Sequence, residues 1–470
     1  MKTKDSKPST GLKLNTKNTL FIGLAFFSIL MLWQVYNQYC PIFLEELLKN
    51  KYGADKDRLL YIIGIIMAAD NIFAIFMLPL FGSISDKTNT KWGKRMPFIV
   101  IGMVSAAIAF PFIAVMFINK NLIGVIIMML VILIIMHMYR SPAVALMPDV
   151  TPKPLRSKAN GIINFVGYLG AILAGALAMV FPIKKTLDNG SVTIKYENAL
   201  IVFITASVFM VIAVVLLVLK INERKILKET EKDMAIGEEQ SQTINKIEEN
   251  KPLSKADKKN FFILLFAVLF WFMSFNAIET FNSLFCSRIL GSDGIAGTFT
   301  IILTISSIIT FIGTLNWPAK KGRKYCVIVG LVSIIFSFLA ILFYLLIIGV
   351  FKEQHATPQA WPFYFFIVYA GFGWALINAN SYPMMVEMAT GKNTGKFTGY
   401  YYTFSMLAQS ITPVLVGLWM SFNKSGLKLL YVYAAITMII ALVIFSFFKE
   451  NKKNVVVNKK GFEALDVDDD

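Results

Sequence analysis

The chain is 470 residues long, 56% hydrophobic and only 16% charged, with a mean hydropathy of +0.63. A soluble domain carries nearer a quarter charged residues and lacks repeated apolar runs of membrane-spanning length, so the composition excludes an ordinary soluble protein. The net charge of +17 would suggest nucleic acid in a soluble chain; here it points to basic loops beside anionic lipid, and no nucleic-acid partner is expected.

Twelve apolar runs follow one another, each about 20 residues or more, the length a helix needs to cross ~30 Å of hydrocarbon. Six read at 19–39, 59–82, 97–118, 122–140, 161–183 and 199–220. Six more read at 260–284, 295–316, 326–350, 362–386, 399–421 and 427–448. The pattern predicts an all-α polytopic membrane protein built from a tail (1–18), a six-helix bundle (19–220), a solvated linker (221–259), a second six-helix bundle (260–448) and a tail (449–470) with an acidic end. The first run follows a lysine-rich stretch and is too long for a leader's apolar core, so it reads as a span. An even number of spans puts both termini on one side. About three-quarters of the 46 Lys and Arg fall there, which predicts a cytoplasmic location for the termini.

In span 1, Gln34 and Asn37 are candidate substrate contacts, and Pro41 frees a backbone carbonyl. Asp70 sits near the middle of span 2 beside Asn71, with no basic residue in the span. Ionisable groups at membrane depth cost about 2.5–3.5 kcal/mol on insertion scales and mark function by default. Asp70 is therefore the first candidate for a proton carrier and Asn71 a candidate substrate contact; the alternative for Asp70 is an interhelical hydrogen bond.

Between spans 2 and 3 lies Gly82-Ser83-Ile84-Ser85-Asp86, followed by Gly93-Lys94-Arg95-Met96-Pro97-Phe98. Gly82 permits close helix approach, and Gly93 a backbone conformation that other residues resist. Asp86 can pair with Lys94 or Arg95 across the turn, forming a latch for the inward gate. Arg140, read as ending span 4, joins this gating group; it either binds a substrate hydroxyl or neutralises Asp149. His137, one turn earlier, reads as an ordinary polar residue at a helix end.

Cys40, Cys286 and Cys326 are scattered and imply no disulfide framework, and His137 and His355 offer no metal-ligand spacing. No cofactor or metal is expected. In span 7, Asn276, Glu279 and Ser283 share a helix face near Trp271 and Thr280. Glu279 is the second proton-carrier candidate. With Asn276 it either forms a sugar site, amide and carboxylate taking hydroxyls, or bonds a neighbouring helix. Span 10 places Trp374, Asn378 and Ser381 on one face. In span 11, Thr398, Tyr402, Ser405, Gln409 and Thr412 form a polar stripe, predicted to line an aqueous path.

The halves repeat. Gly93-Lys94-Arg95 is answered by Gly322-Arg323-Lys324, and Pro142, Met147 and Gly161 by Pro383, Met388 and Gly399. Such duplication about an axis along the membrane normal is the organisation of the major facilitator fold.

The loop Gly82–Phe98 resembles that of the glycoside–pentoside–hexuronide:cation symporter family, including its sucrose-transporter-like branch. Tyr139-Arg140-Ser141-Pro142-Ala143, Gly371-Phe372-Gly373-Trp374 through Ser381-Tyr382-Pro383, and Thr398-Gly399-Tyr400-Tyr401-Tyr402 are similar to its later segments. The resemblance implies cation-coupled sugar or glycoside import by alternating access. In the family's sodium-coupled melibiose permeases, span 2 carries paired carboxylates one turn apart. Those positions are Ala74 and Leu78 here, a departure that favours H+ over Na+. The expected protein is a monomer in the cell (inner) membrane whose partners are a small-molecule solute and lipid. A non-sugar solute or an exporter is the nearest alternative. A receptor, scaffold or polytopic enzyme is more remote, since no hydrolase or metalloenzyme motif occurs.

Overall fold

The computed structural model describes residues 12–53, 56–187, 191–247, 255–352, 357–388 and 394–449. His355 and the acidic C-terminal end lie outside the described residues. Twelve helices are long and apolar enough to cross a membrane. In chain order, spans 1 to 6 are Thr16–Tyr52, Leu60–Lys87, Met96–Ile118, Leu122–Asp149, Arg156–Val180 and Tyr196–Lys220. Spans 7 to 12 are Lys255–Ile289, Gly294–Gly313, Arg323–Ile347, Trp361–Glu387, Thr394–Ser421 and Leu430–Ser446. A spanning helix satisfies its own backbone, which is why apolar length alone predicts these elements. Asn15 and Asn121 cap spans 1 and 4, their side chains accepting from Asn18 and Gly124 N–H.

Several spans outrun their predicted edges. Span 1 continues past residue 39 to Tyr52 and buries Glu45 and Glu46; span 4 continues past Arg140 to Asp149. A sliding apolar window stops at a charge, but the helix does not when a tertiary partner neutralises that charge. The elements outside the spans include a helix and a short ribbon. Glu223–Ile247 forms a helix in the linker, and Lys184–Thr186 pairs antiparallel with Val192–Ile194 between spans 5 and 6.

The first and last described residues and the linker helix share one end of the bundle, here termed the linker side, and the ribbon lies on the far side. Spans 1 and 5, 3 and 4, and 3 and 6 pack together in the first half; spans 9 and 10 and spans 7 and 12 do so in the second. Phe43, Phe110, Phe117 and Phe203 knit the first core, with Phe43 stacked on Phe117 at 4.0 Å. Phe285, Phe363 and Tyr431 do the same in the second.

The halves meet through spans 2 and 11, 5 and 8, and 1 and 7. Spans 2 and 11 approach so closely that a Cβ on Gly64 would overlap the Pro413 carbonyl oxygen, and one on Gly417 would press on that of Leu60. Tyr61 N–H donates to Ser421 Oγ at 3.0 Å, and Gly175 faces Gly297 between spans 5 and 8. These contacts lie on the far side of the midplane. Toward the linker side Ile75, Phe76 and Leu80 of span 2 and Tyr402 of span 11 are exposed. The halves are closed on the far side.

Candidate functional site: a cavity between the halves

A cavity of about 190 Å³ opens between the bundles, lined by Ile29, Leu30 and Trp33 of span 1, Arg140 of span 4, Phe272, Phe275, Asn276 and Glu279 of span 7, and Gln409 of span 11. Glu279 Oε1 accepts from Trp33 Nε1 and Asn37 Nδ2, both at 3.2 Å, so span 1 fixes the span 7 carboxylate. Trp374 stacks on Phe275 with ring centroids 3.8 Å apart and meets Phe272 edge-on. Aromatic and polar side chains are therefore interleaved around the cavity, with Trp33 lying against both Glu279 and Arg140.

Arg140 faces the cavity, its guanidinium 5.4 Å from the Trp33 ring centroid, and acts electrostatically on both Asp70 and Glu279. This corrects its placement at the end of span 4, because the helix runs more than two turns beyond it. Asp149 is neutralised instead by Lys94 at 3.3 Å and Arg95 at 2.8 Å. Asp70 is buried, and its nearest cation candidate comes from span 4, where His137 Nε2 lies 4.0 Å from Asp70 Oδ1. His137 is itself fully buried rather than at a helix end.

The other candidates divide. Asn276 and Gln409 line the cavity; Trp374 stands behind Phe275. Gln34 donates to Thr300 Oγ1 at 3.0 Å and Asn71 to the Gln409 carbonyl at 3.2 Å, so both join one half to the other. Asn378 is exposed and folds back on the Trp374 carbonyl, and Tyr402 is exposed below the cavity. In the predicted span 11 stripe, Ser405 and Thr412 are buried and do not line the path. Trp33, Phe272 and Phe275 were not singled out from the sequence, where aromatic residues in an apolar run carry no periodic signal.

On the linker side, Arg95 pairs with both Asp86 and Asp149. Burial opposes the Arg95 charge, but those carboxylates outweigh it and hold the guanidinium above its ordinary pKa. Gly93 has φ +110°, and a Cβ there would overlap the Glu223 carboxylate. That carboxylate, at the start of the linker helix, accepts from the backbone N–H groups of Lys94, Arg95 and Met96, each at 2.9 Å. It caps span 3 from another element. Gly93→Ala should therefore cost about 1–2 kcal/mol in backbone strain and displace the cap. An unfolding temperature in detergent equal to that of the wild type would contradict this. The second half repeats the pairing, Arg323 reaching Glu387 at 2.6 Å after Gly322, whose φ is +89°.

On the far side a second charged cluster bridges the halves. Lys184, on the ribbon, reaches Glu45 at 2.8 Å and Glu46 at 2.9 Å, and Arg288 of span 7 pairs with Glu45. Asp293, fully buried before span 8, accepts from Ile183 and Lys184 N–H at 3.1 and 2.8 Å. Burial opposes the Lys184 charge, yet Glu45 and Glu46 prevail and hold it above the usual lysine pKa. Gln38 adds a bond to the Asp293 carbonyl at 3.0 Å. The cluster can hold the far side shut for as long as its ion pairs stand.

A duplicated pair of six-helix bundles around a central cavity is matched in sequence by the family model of the Major Facilitator Superfamily, over residues 22–352 and 317–466. The chain belongs to the Major Facilitator Superfamily. Among solved structures, this major facilitator protein is similar to a D-xylose-proton symporter (TM-score 0.67, 13% identity, covering 94% of this chain and 99% of that one). It is similar also to a bacterial homologue of the human lysosomal transporter Spinster (0.62, 12%, 94% and 97%) and to the nucleoside transporter NupG (0.61, 14%, 92% and 100%). At these identities the likeness is one of fold. No curated protein matches the chain by sequence. The chain is a multi-pass membrane protein with the fold of a transporter, and these comparisons point to transport of a small molecule rather than to enzymatic catalysis.

Proposed function

We propose that the chain imports a sugar or glycoside together with a proton, by alternating access. It acts as a monomer in the cell (inner) membrane with both termini cytoplasmic. The observation that supports this reading is the mixed aromatic and polar lining of the cavity. Asn276, Glu279, Arg140 and Gln409 present donors and acceptors beside the rings of Phe272, Phe275 and Trp33. A pyranose or furanose ring combines the matching groups, hydroxyls around its edge and an apolar face that packs on aromatic rings. Glu279 binds substrate in this reading, and Asp70, buried behind the wall, carries the proton. The basic excess on the linker side supports the orientation. With the linker side cytoplasmic, the closed far side supports reading this as an inward-facing state, with the Asp86–Arg95 pair in the cytoplasmic gate.

A thermal-shift screen of neutral sugars and glycosides on the purified protein tests the substrate class. Compounds that stabilise the wild type should lose about 1–3 kcal/mol of binding, roughly five- to a hundredfold, in Glu279→Gln. Equal binding by that variant would remove Glu279 from the site. Arg140 favours a second reading, an anionic organic solute, because a guanidinium recognises carboxylate and phosphate. Stabilisation by glucuronides or organic acids, and by no neutral sugar, would select it.

A further inference from the structure

Asp70 of span 2 and His137 of span 4 face one another with Oδ1 and Nε2 4.0 Å apart. Both residues are buried, and neither of the facing atoms has a hydrogen-bond partner. A buried polar atom left unpaired costs about 1–3 kcal/mol, so two such atoms aimed at each other call for a shared occupant.

The histidine's other nitrogen limits what that occupant is. His137 Nδ1 lies 2.6 Å from the carbonyl oxygen of Leu133, one turn earlier. A carbonyl only accepts, so Nδ1 carries the hydrogen, and in the neutral ring Nε2 is a lone pair directed at Asp70. An ionised Asp70 offers only lone pairs in return. Two acceptors at this distance are reconciled by a proton on one of them, delivered directly after a small side-chain rotation or through one bridging water.

We propose that Asp70 and His137 form one proton-sharing site, in which His137 positions the coupling proton on Asp70. This rests on the proton-coupled reading above and names the partner that reading lacks. The proton moves as a hydrogen bond Oδ1–H···Nε2 or Oδ1···H–Nε2. Either arrangement leaves the pair uncharged, and release leaves it with one negative charge. The titratable and charged groups around it are Arg140 on span 4, Glu279 on span 7 and Tyr36 on span 1. Span 11 presents the Gln409 backbone carbonyl, already bonded to Asn71. Arg140 stands one turn after His137 and lines the cavity, so the pair sits directly behind the wall that substrate would touch. A net charge appearing there is felt at the cavity with little screening. That gives substrate and proton a route to influence each other without contact.

The chain contains only two histidines, so 15N-histidine labelling of the whole protein yields a spectrum that His355→Gln assigns. In the wild type, His137 should be the Nδ1–H tautomer. Its Nε2 resonance should titrate together with the infrared band of a protonated carboxyl that Asp70→Asn removes. Asp70→Asn should move the His137 midpoint, and His137→Gln the carboxyl midpoint, each by about one pH unit or more, the mark of coupled sites. An Nε2–H tautomer in the wild type, or a His137 titration indifferent to Asp70→Asn, would overturn the proposal; neither observation depends on the histidine variant folding. Both readouts work without substrate. Coupled titration in a protein whose uptake of radiolabelled sugar ignores a pH gradient would therefore sink the transport reading and leave the pair standing.

Discussion

Asp70→Asn should abolish accumulation of substrate against its gradient while leaving exchange between two equilibrated pools intact. Asparagine keeps the volume of the buried side chain and much of its hydrogen bonding but has no exchangeable proton. An imposed pH difference of two units stores about 2.7 kcal/mol per proton, enough to sustain roughly 100-fold accumulation at one proton per solute. The variant should equilibrate and go no further, because a permanently neutral carrier can still isomerise when loaded. Loss of exchange as well would assign Asp70 a structural role. Retained accumulation would move the coupling site to Glu279, which already binds Trp33 and Asn37 across the halves.

The second large effect is expected on the far side. Lys184→Met removes an ammonium that touches both Glu45 and Glu46, two carboxylates buried at 3% and 7% exposure. Breaking a buried ion pair from one side costs about 3–5 kcal/mol. That cost falls on the closed far side alone, because an open far side would hydrate the carboxylates. The balance between the two states should shift toward far-side opening by about two orders of magnitude or more. Spin labels at exposed Leu187 and Trp361 report the far-side distance, and labels at exposed Ile84 and Phe447 the linker-side distance. The first distance should lengthen and the second shorten. A lowered unfolding temperature with both distances unchanged would make the cluster a structural fastening rather than a gate.

The helices and their division into two related bundles were legible because apolar length is a local property that the bilayer enforces on every segment separately. The loop Gly82–Phe98 was legible for a similar reason: Asp86, Gly93 and Arg95 act on one another over a few residues. What escaped was long-range. Glu223 looks like one acid among many in a charged linker, yet it caps span 3 from more than a hundred residues away. Arg140 looked like the end of a span because a charge interrupts an apolar window; only the cavity explains its depth. Span 1 was ended too early, before Glu45 and Glu46, for the same reason, since Lys184 and Arg288 arrive from other segments. The polar positions Gln34 and Asn71 were visible, but their partners in the opposite half are tertiary facts. Phe272 and Phe275 are two among 40 phenylalanines, and nothing local separates a cavity wall from a lipid face.

The central claim is that a proton gradient drives sugar through this protein. Its most direct test is uptake by proteoliposomes of the purified chain, offered radiolabelled sucrose, a β-glucoside and a pentose under an inward pH gradient without sodium. At least one of these sugars should rise above its equilibrium level inside, collapse to it on addition of a protonophore, and fail to rise in Asp70→Asn. Accumulation that follows an imposed sodium gradient at equal pH on both sides would contradict the account, as would a protein that moves none of these sugars.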